Sequence, residues 1–248
     1  MSDPLAAWLK QRGLTLVGDP PMVQGLGLQL ALTPVLRNEW THRIAEDPDG
    51  LEAELTSMVH APGLPSGWFV ARSGVRLLLM ARASLADDAL HLPLSKKAAA
   101  ALVHTDPEER LITFLRNGHL EGWMTDLQTA HDAALAGLDA VLAEAKLELG
   151  RAGDSGSPLG MLSTTSPFKA SLLLAPGLKA RVAEPLGWPL LAVAPCRDFL
   201  YLFSDRALIP ELGSAVVHEL ETSPHPISDE VFQIGDEGLE AIGAYTPA

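Results

Sequence analysis

A single cysteine, Cys196, stands among 248 residues, so no disulfide can close within the chain. Basic residues are also scarce: 18 Lys and Arg face 31 Asp and Glu, giving a net charge of −13. Phosphate recognition needs clustered Lys and Arg, so the charge balance excludes nucleic acid as a partner, and anionic membrane surfaces with it. No apolar run approaches the roughly 20 residues of a membrane-spanning helix. The start, Met1-Ser2-Asp3-Pro4-Leu5, lacks the basic-then-apolar order of a secretory signal. A soluble cytoplasmic protein is expected. Hydrophobic content of 47% against 20% charged is that of a folded globule.

Several chemical signatures are missing too. No Gly-x-x-x-x-Gly-Lys-Ser/Thr phosphate loop occurs, and Gly25-Leu26-Gly27 lacks a third glycine and precedes a strand pattern, which excludes a dinucleotide fingerprint. The eight histidines form no His-Glu-x-x-His pair; His218-Glu219 has its next histidine at 225, the wrong spacing for one helix face. His119 and Glu121 share a strand face at most as two ligands. No metal and no cofactor are therefore expected.

What the chain does have is Trp188 to Ser204, two near-continuous apolar runs around Pro195-Cys196-Arg197-Asp198. Unbroken runs suit strands covered on both faces, and Pro and Asp form turns, so a central hairpin is predicted. Arg197 and Asp198 at its corner either pair with each other, cap the turn, or present an acid at the sheet edge. Cys196 beside Arg197 would be a reactive thiol if exposed, an inert turn residue if not.

Other elements follow from spacing. Pro4 to Arg12 reads as a helix capped by Ser2 or Asp3 and stopped by Gly13; Leu14 to Val17 and Gly27 to Thr33 read as strands, and Leu51 to His60 as a helix. Trp68 to Arg72 and Val75 to Arg82 read as paired strands around Ser73-Gly74. Ser95 to Val103 reads as an Ala-rich helix, and His104 to Glu109 as a boundary between halves. Asn117-Gly118, between Leu111–Arg116 and His119–Met124, reads as a hairpin turn. The longest helix starts at the Thr125/Gln128 capping box, buries Leu127, Ala130, Ala134, Leu138, Val141, Ala145 and Leu149, and ends at Gly150. Residues 151–166 read as a mobile loop, Phe168 to Leu174 and Leu178 to Leu186 as short helices, Leu208 to Glu221 as a helix with Pro210 in its first turn, and Val231–Ile234 with Leu239–Ile242 as a closing hairpin.

Gly153-Asp154-Ser155-Gly156-Ser157-Pro158-Leu159 is similar to the nucleophile segment of chymotrypsin-like proteases, and Thr129-Ala130-His131-Asp132 to their histidine segment. The context argues against that activity: His131 and Ser155 are 24 residues apart, and His131 falls inside the long helix.

The C-terminal half resembles the YtpQ-like family of bacterial proteins of unknown function (domain of unknown function 1444). Ala194 to Leu200 resembles that family's Pro-x-x-Asp corner, Phe168 to Leu174 its Ala-Ser helix, and Pro226 to Phe232 its Pro-Ile-Thr and Phe segment. The Asp-Gly-Tyr-Asp that often precedes the Ala-Ser helix is replaced here by Thr165-Ser166-Pro167-Phe168. The resemblance implies a shared α+β fold and supplies no substrate, cofactor or reaction.

The expected architecture is α+β: two packed lobes, 1–105 and 106–248, with mostly antiparallel sheets carrying helices on one face. The leading functional expectation is a non-enzymatic protein-binding or regulatory module, its partner another protein and its oligomeric state open. The rival is a hydrolase whose site would gather Asp198, Arg197, Ser171 and the 151–166 loop. Convergence of Asp198 and Ser171 on one polar pocket separates the two.

Overall fold

The computed structural model describes residues 3–18, 21–25, 28–32, 34–59, 64–152, 156–204 and 212–246. The fold is α+β, and every strand pairing among the described residues is antiparallel. The chain divides into two compact units, Met1–Gly63 with Ala83–Ala86, and Leu64–Arg82 with Asp87–Ala248. The stretch 104–109, expected as the boundary, is instead a turn inside one sheet. There the Asp106 carboxylate accepts from the Arg110 and Leu111 amides at 2.7 and 2.8 Å.

The first unit holds α1 (Pro4–Lys10), a sheet of β1 (Thr15–Val17), β2 (Met22–Gly25) and β3 (Leu28–Ala31), α2 (Pro34–Glu46) and α3 (Pro48–Val59). Asp3 caps α1, accepting from the Leu5 amide at 3.0 Å, and Gly13 turns the chain at φ +75°. Trp8, Leu9, Leu14, Trp40, Leu51 and Leu55 form its core. Arg43 joins α2 to α3 through Glu54 at 2.6 Å. Neither β2 nor α2 carries a clear sequence signal: β2 is four residues long, and Arg37-Asn38-Glu39 and Thr41-His42-Arg43 interrupt any apolar stripe on α2.

The second unit begins with a short helix, α4 (Trp68–Ala71), where a strand was expected, followed by β4 (Val75–Ala81). Next come β5 (His91–Pro93), β6 (Ala98–Thr105) and β7 (Ile112–Phe114); β6 lies between β4 and β5 and also pairs with β7. The Ala-rich segment is thus a central strand, not a helix. Alanine's helix propensity amounts to tenths of a kcal/mol per residue. Here it is outweighed by a ladder to β4 running from Val75↔His104 to Ala81↔Ala98.

Asn117-Gly118 opens a helix, α5 (Asn117–Gly122), rather than a hairpin; the His119 ring nitrogen accepts from the Arg116 amide at 3.2 Å and closes its first turn. The long helix α6 (Leu127–Glu144) is capped by Asp126, which accepts from the Thr129 amide at 2.7 Å. Ala130, Ala134, Leu138 and Val141 form its buried stripe, as the spacing predicts, but Leu127 at its start and Leu149 in the strand that follows are exposed. The helix ends at Glu144, six residues before Gly150, because Lys146 onward is captured by a strand pairing. That strand is β8 (Lys146–Ala152), zipped to β9 (Ser157–Ser163) from Lys146↔Ser163 to Ala152↔Ser157. A β-ribbon therefore replaces most of the expected loop; residues 153–155, with Ser155, lie outside the described residues.

A 3-10 turn at Ala170–Leu174 and α7 (Leu178–Leu186) lead into the expected hairpin, β10 (Leu190–Cys196) and β11 (Phe199–Ser204). Then come α8 (Leu212–Thr222), β12 (Glu230–Gly235) and β13 (Gly238–Ala244). The expected helical start at Leu208 and Pro210 falls outside the described residues. The sheet order is β13-β12-β10-β11-β9-β8, so β10 and β11 are interior. Helices cover both faces of this sheet rather than one. Leu212 and Val216 of α8 pack on Leu191, Val193, Tyr201 and Phe203. Leu186 of α7 lies over Gly160, on the opposite face with Leu202, where an added Cβ would come within 2.7 Å of it. Burial on both sides is the reason β10 is apolar at every position.

Candidate functional site

The β10–β11 corner was the main sequence-level candidate. Its backbone is pinned on two sides: the Arg197 amide donates to the His225 carbonyl at 3.1 Å, and the Ala170 amide donates to the Arg197 carbonyl at 3.2 Å. Cys196 is buried and bridges to Pro226, which closes the reactive-thiol reading through lack of access. Arg197 Nε lies 3.4 Å from Asp198 Oδ1, both side chains partly in solvent. The ion pair is thus formed, with the Asp198 carboxylate still half exposed.

The corner's unforeseen member is His225. Burial pushes its imidazole down to about 4; the Arg197 charge adds to that shift and Asp198 opposes it. The ring is neutral at pH 7. Its proximity to the corner comes from the return of the chain before β12, 27 positions after Asp198, and no local signal announces it.

Ser171 is a backbone neighbour of the corner, but its side chain goes elsewhere. The hydroxyl is 1% exposed and accepts from the Leu79 amide at 2.8 Å. It thereby satisfies a β4 donor in the interior, while Asp198 faces Arg197 and solvent. Ser171 and Asp198 share a stretch of backbone and no polar pocket. His131 sits on α6, its ring 3.9 Å from Asp132. Among the described residues, no three His, Cys, Asp or Glu side chains group to hold a metal, and no helix is long and apolar enough to cross a membrane.

Two buried carboxylates lie farther along the chain. Asp229 is 1% exposed and accepts from Lys97 Nζ at 2.6 Å, the Thr246 amide at 3.0 Å and the Thr246 hydroxyl. Burial pushes this carboxyl up, but the Lys97 and Thr246 hydrogen bonds and the Lys97 charge outweigh it and hold it below the ordinary range. Glu230 accepts from the Ser228 hydroxyl at 2.9 Å and from Ser95. The Ser95–Lys97 turn is thus latched to β12. These groups are satisfied by one another, which marks them as structural.

The surface around Trp123 differs. Trp123 donates to the Pro65 carbonyl at 2.6 Å and packs on Trp68, their ring centroids 6.0 Å apart. The residues that follow each tryptophan point outward: Phe69 is 78% exposed, Val70 64% and Met124 93%. Met124 has φ +53°, a left-handed conformation that costs a side-chain-bearing residue about 1 kcal/mol. Glu109, the other non-glycine residue with positive φ among those described, uses its position: its carboxylate accepts from Ser166 at 2.5 Å and faces Arg76. Met124 places its side chain in solvent. Met124→Gly is expected to raise the unfolding free energy by about 0.5–1 kcal/mol, measured by urea denaturation; a loss of stability would show that the methionine packs.

A scan against protein-family models finds no match, and neither the curated proteins nor the solved structures contain one.

Proposed function

We propose that this chain is a non-enzymatic protein-binding module, and that it docks through the Phe69, Val70 and Met124 surface beside the Trp68–Trp123 pair. The observation that supports the reading is Met124, a large apolar side chain held in strained backbone and almost fully exposed. Strain without a local packing return accumulates at functional positions, and Phe69, Val70 and Met124 are exposed large apolar side chains next in sequence to the paired Trp68 and Trp123. Glu121 and Asp126 are exposed on either side of Met124, within a chain of net charge −13. The Arg72 guanidinium lies 4.7 Å over the Phe69 ring, so the partner is a protein segment whose apolar side chains are flanked by Lys or Arg toward Glu121 and Asp126 and by an acid toward Arg72. A cytoplasmic setting fits the single cysteine and its burial. Kinship with the YtpQ-like family belongs to the same proposal and adds no activity to it.

The test compares wild type with the double variant Phe69→Ser/Met124→Ser. Wild type is expected to retain a stoichiometric partner from host extract, and the purified partner to bind the double variant at least about tenfold more weakly, with the thermal midpoint unchanged. A partner that binds both proteins equally, or no stoichiometric partner at all, overturns the reading.

A further inference from the structure

Two chain segments of opposite charge meet at the Trp68–Trp123 contact. From Leu64 to Arg82 the sequence holds three arginines and no Asp or Glu. From Asn117 to Ala145 it holds five acids and no Lys or Arg. The tryptophan pair joins the segments, and the turn Arg72–Gly74 packs on α6. A cationic half carrying exposed Phe69 and Val70 therefore adjoins an anionic half carrying exposed Met124.

Several of these charges already serve the fold. Arg76 faces Glu109, Asp126 caps α6, and Asp139 accepts from the Gly177 amide at 2.8 Å. Arg72 and Glu121 do not. Both are exposed, and among the described residues no carboxylate pairs with Arg72 and no Lys or Arg pairs with Glu121. The Phe69 ring is what Arg72 touches.

A surface whose halves carry opposite charge is complementary to itself. A two-fold axis through the seam lays the cationic half of one copy on the anionic half of the other, and every contact occurs twice. Arg72 then meets the partner's Glu121, while Phe69 and Val70 meet the partner's Met124. A foreign segment has to supply a cation and an acid in matching order, whereas a second copy has them by symmetry. The net charge of −13 on each chain opposes association at long range. That repulsion is screened beyond about 8–10 Å at physiological salt, and Arg72 and Glu121 act at contact.

We propose that the partner of this surface is a second copy of the chain, in an isologous dimer with Phe69, Val70 and Met124 at its centre and two Arg72–Glu121 ion pairs at its rim. The dimer presupposes the docking surface proposed above and names what occupies it.

The test is sedimentation equilibrium of the full chain. Few apolar side chains are involved, so a dissociation constant on the order of 10 μM is expected, with monomer and dimer both visible on either side of it. Arg72→Glu and Glu121→Arg each turn two attractive contacts into repulsive ones. Each is expected to weaken the dimer at least about tenfold, with the thermal midpoint unchanged. Mixed together, the two variants are expected to pair at least as tightly as wild type, because one carries acids at both positions and the other carries cations at both. Wild type that stays monomeric overturns the dimer. So does a dimer that neither reversal weakens, a mixture that does not recover, or a dimer that persists in Phe69→Ser/Met124→Ser. The surface itself is judged apart from its occupant: a monomeric wild type whose foreign partner is lost in Phe69→Ser/Met124→Ser removes the self-pairing and leaves the docking surface standing.

Discussion

Lys97→Met is expected to lower the unfolding free energy by about 3 kcal/mol. The lysine is half exposed, and a solvated surface pair would contribute under about 1 kcal/mol, so the size of the loss separates two accounts. The larger figure follows from the other partner: Asp229 is buried, and Lys97 is the cation that faces it. Without Lys97 the carboxylate keeps only the neutral donors of Thr246, next to Glu230, a second buried acid. Asp229→Asn is expected to cost less, about 1–2 kcal/mol, because its loss leaves Lys97 free to return to water. The pH dependence has a fixed sign. In wild type, Asp229 sits below its unfolded value, so its contribution is present above the ordinary carboxylate range and is lost as pH falls. In Lys97→Met the carboxyl moves upward, and the deficit against wild type shrinks on acidification as Asp229 takes up a proton. Urea denaturation at neutral pH and near pH 5 measures both; a deficit that is small at neutral pH, or constant with pH, excludes the mechanism.

The second large effect belongs to His225. Its folded pKa of about 4 lies below the ordinary 6.5 of the unfolded chain. On acidification the unfolded ensemble binds the proton first, so stability is complete above about 6.5 and declines as pH falls toward 4. By pH 5 the loss amounts to about 2 kcal/mol. His104 and His119 act with the same sign, since burial pushes both down, with Arg76 and Arg116 adding to it. The depressed carboxylates act below this window. His225→Asn is therefore expected to flatten most of the decline between pH 7 and 5 and leave a smaller residue from the other two. Denaturant midpoints across that range give the slope; an unaltered slope in the variant would falsify the assignment.

The β10–β11 hairpin was legible because two faces of burial leave an unbroken apolar run and Pro195 and Asp198 mark its joint. Ala98 to Ala101 was not, because alanine's preference for helix is intrinsic while its place in β6 is set by β4 and β5, which are remote in sequence. Asn117-Gly118 suits positive φ in a hairpin, yet serves equally as the first residues of α5. At the candidate site, the Ala170 amide reaches the Arg197 carbonyl, but the Ser171 hydroxyl turns inward to Leu79. That direction was not legible, since an inward serine looks in sequence like an outward one. His225 reaches the corner only through the path of the chain before β12. Met124 was invisible for a different reason: methionine gives no warning of left-handed backbone.

The order β13-β12-β10-β11-β9-β8 bears on synthesis as well as on the finished molecule. The first half of the most apolar strand, Leu190 to Val193, obtains one neighbour at once from β11, but the other only when Glu230 to Gly235 has been made. Until then this apolar edge stands open to any passing strand. Chains truncated before residue 230 leave that edge open permanently, and are the form of this protein most prone to aggregate.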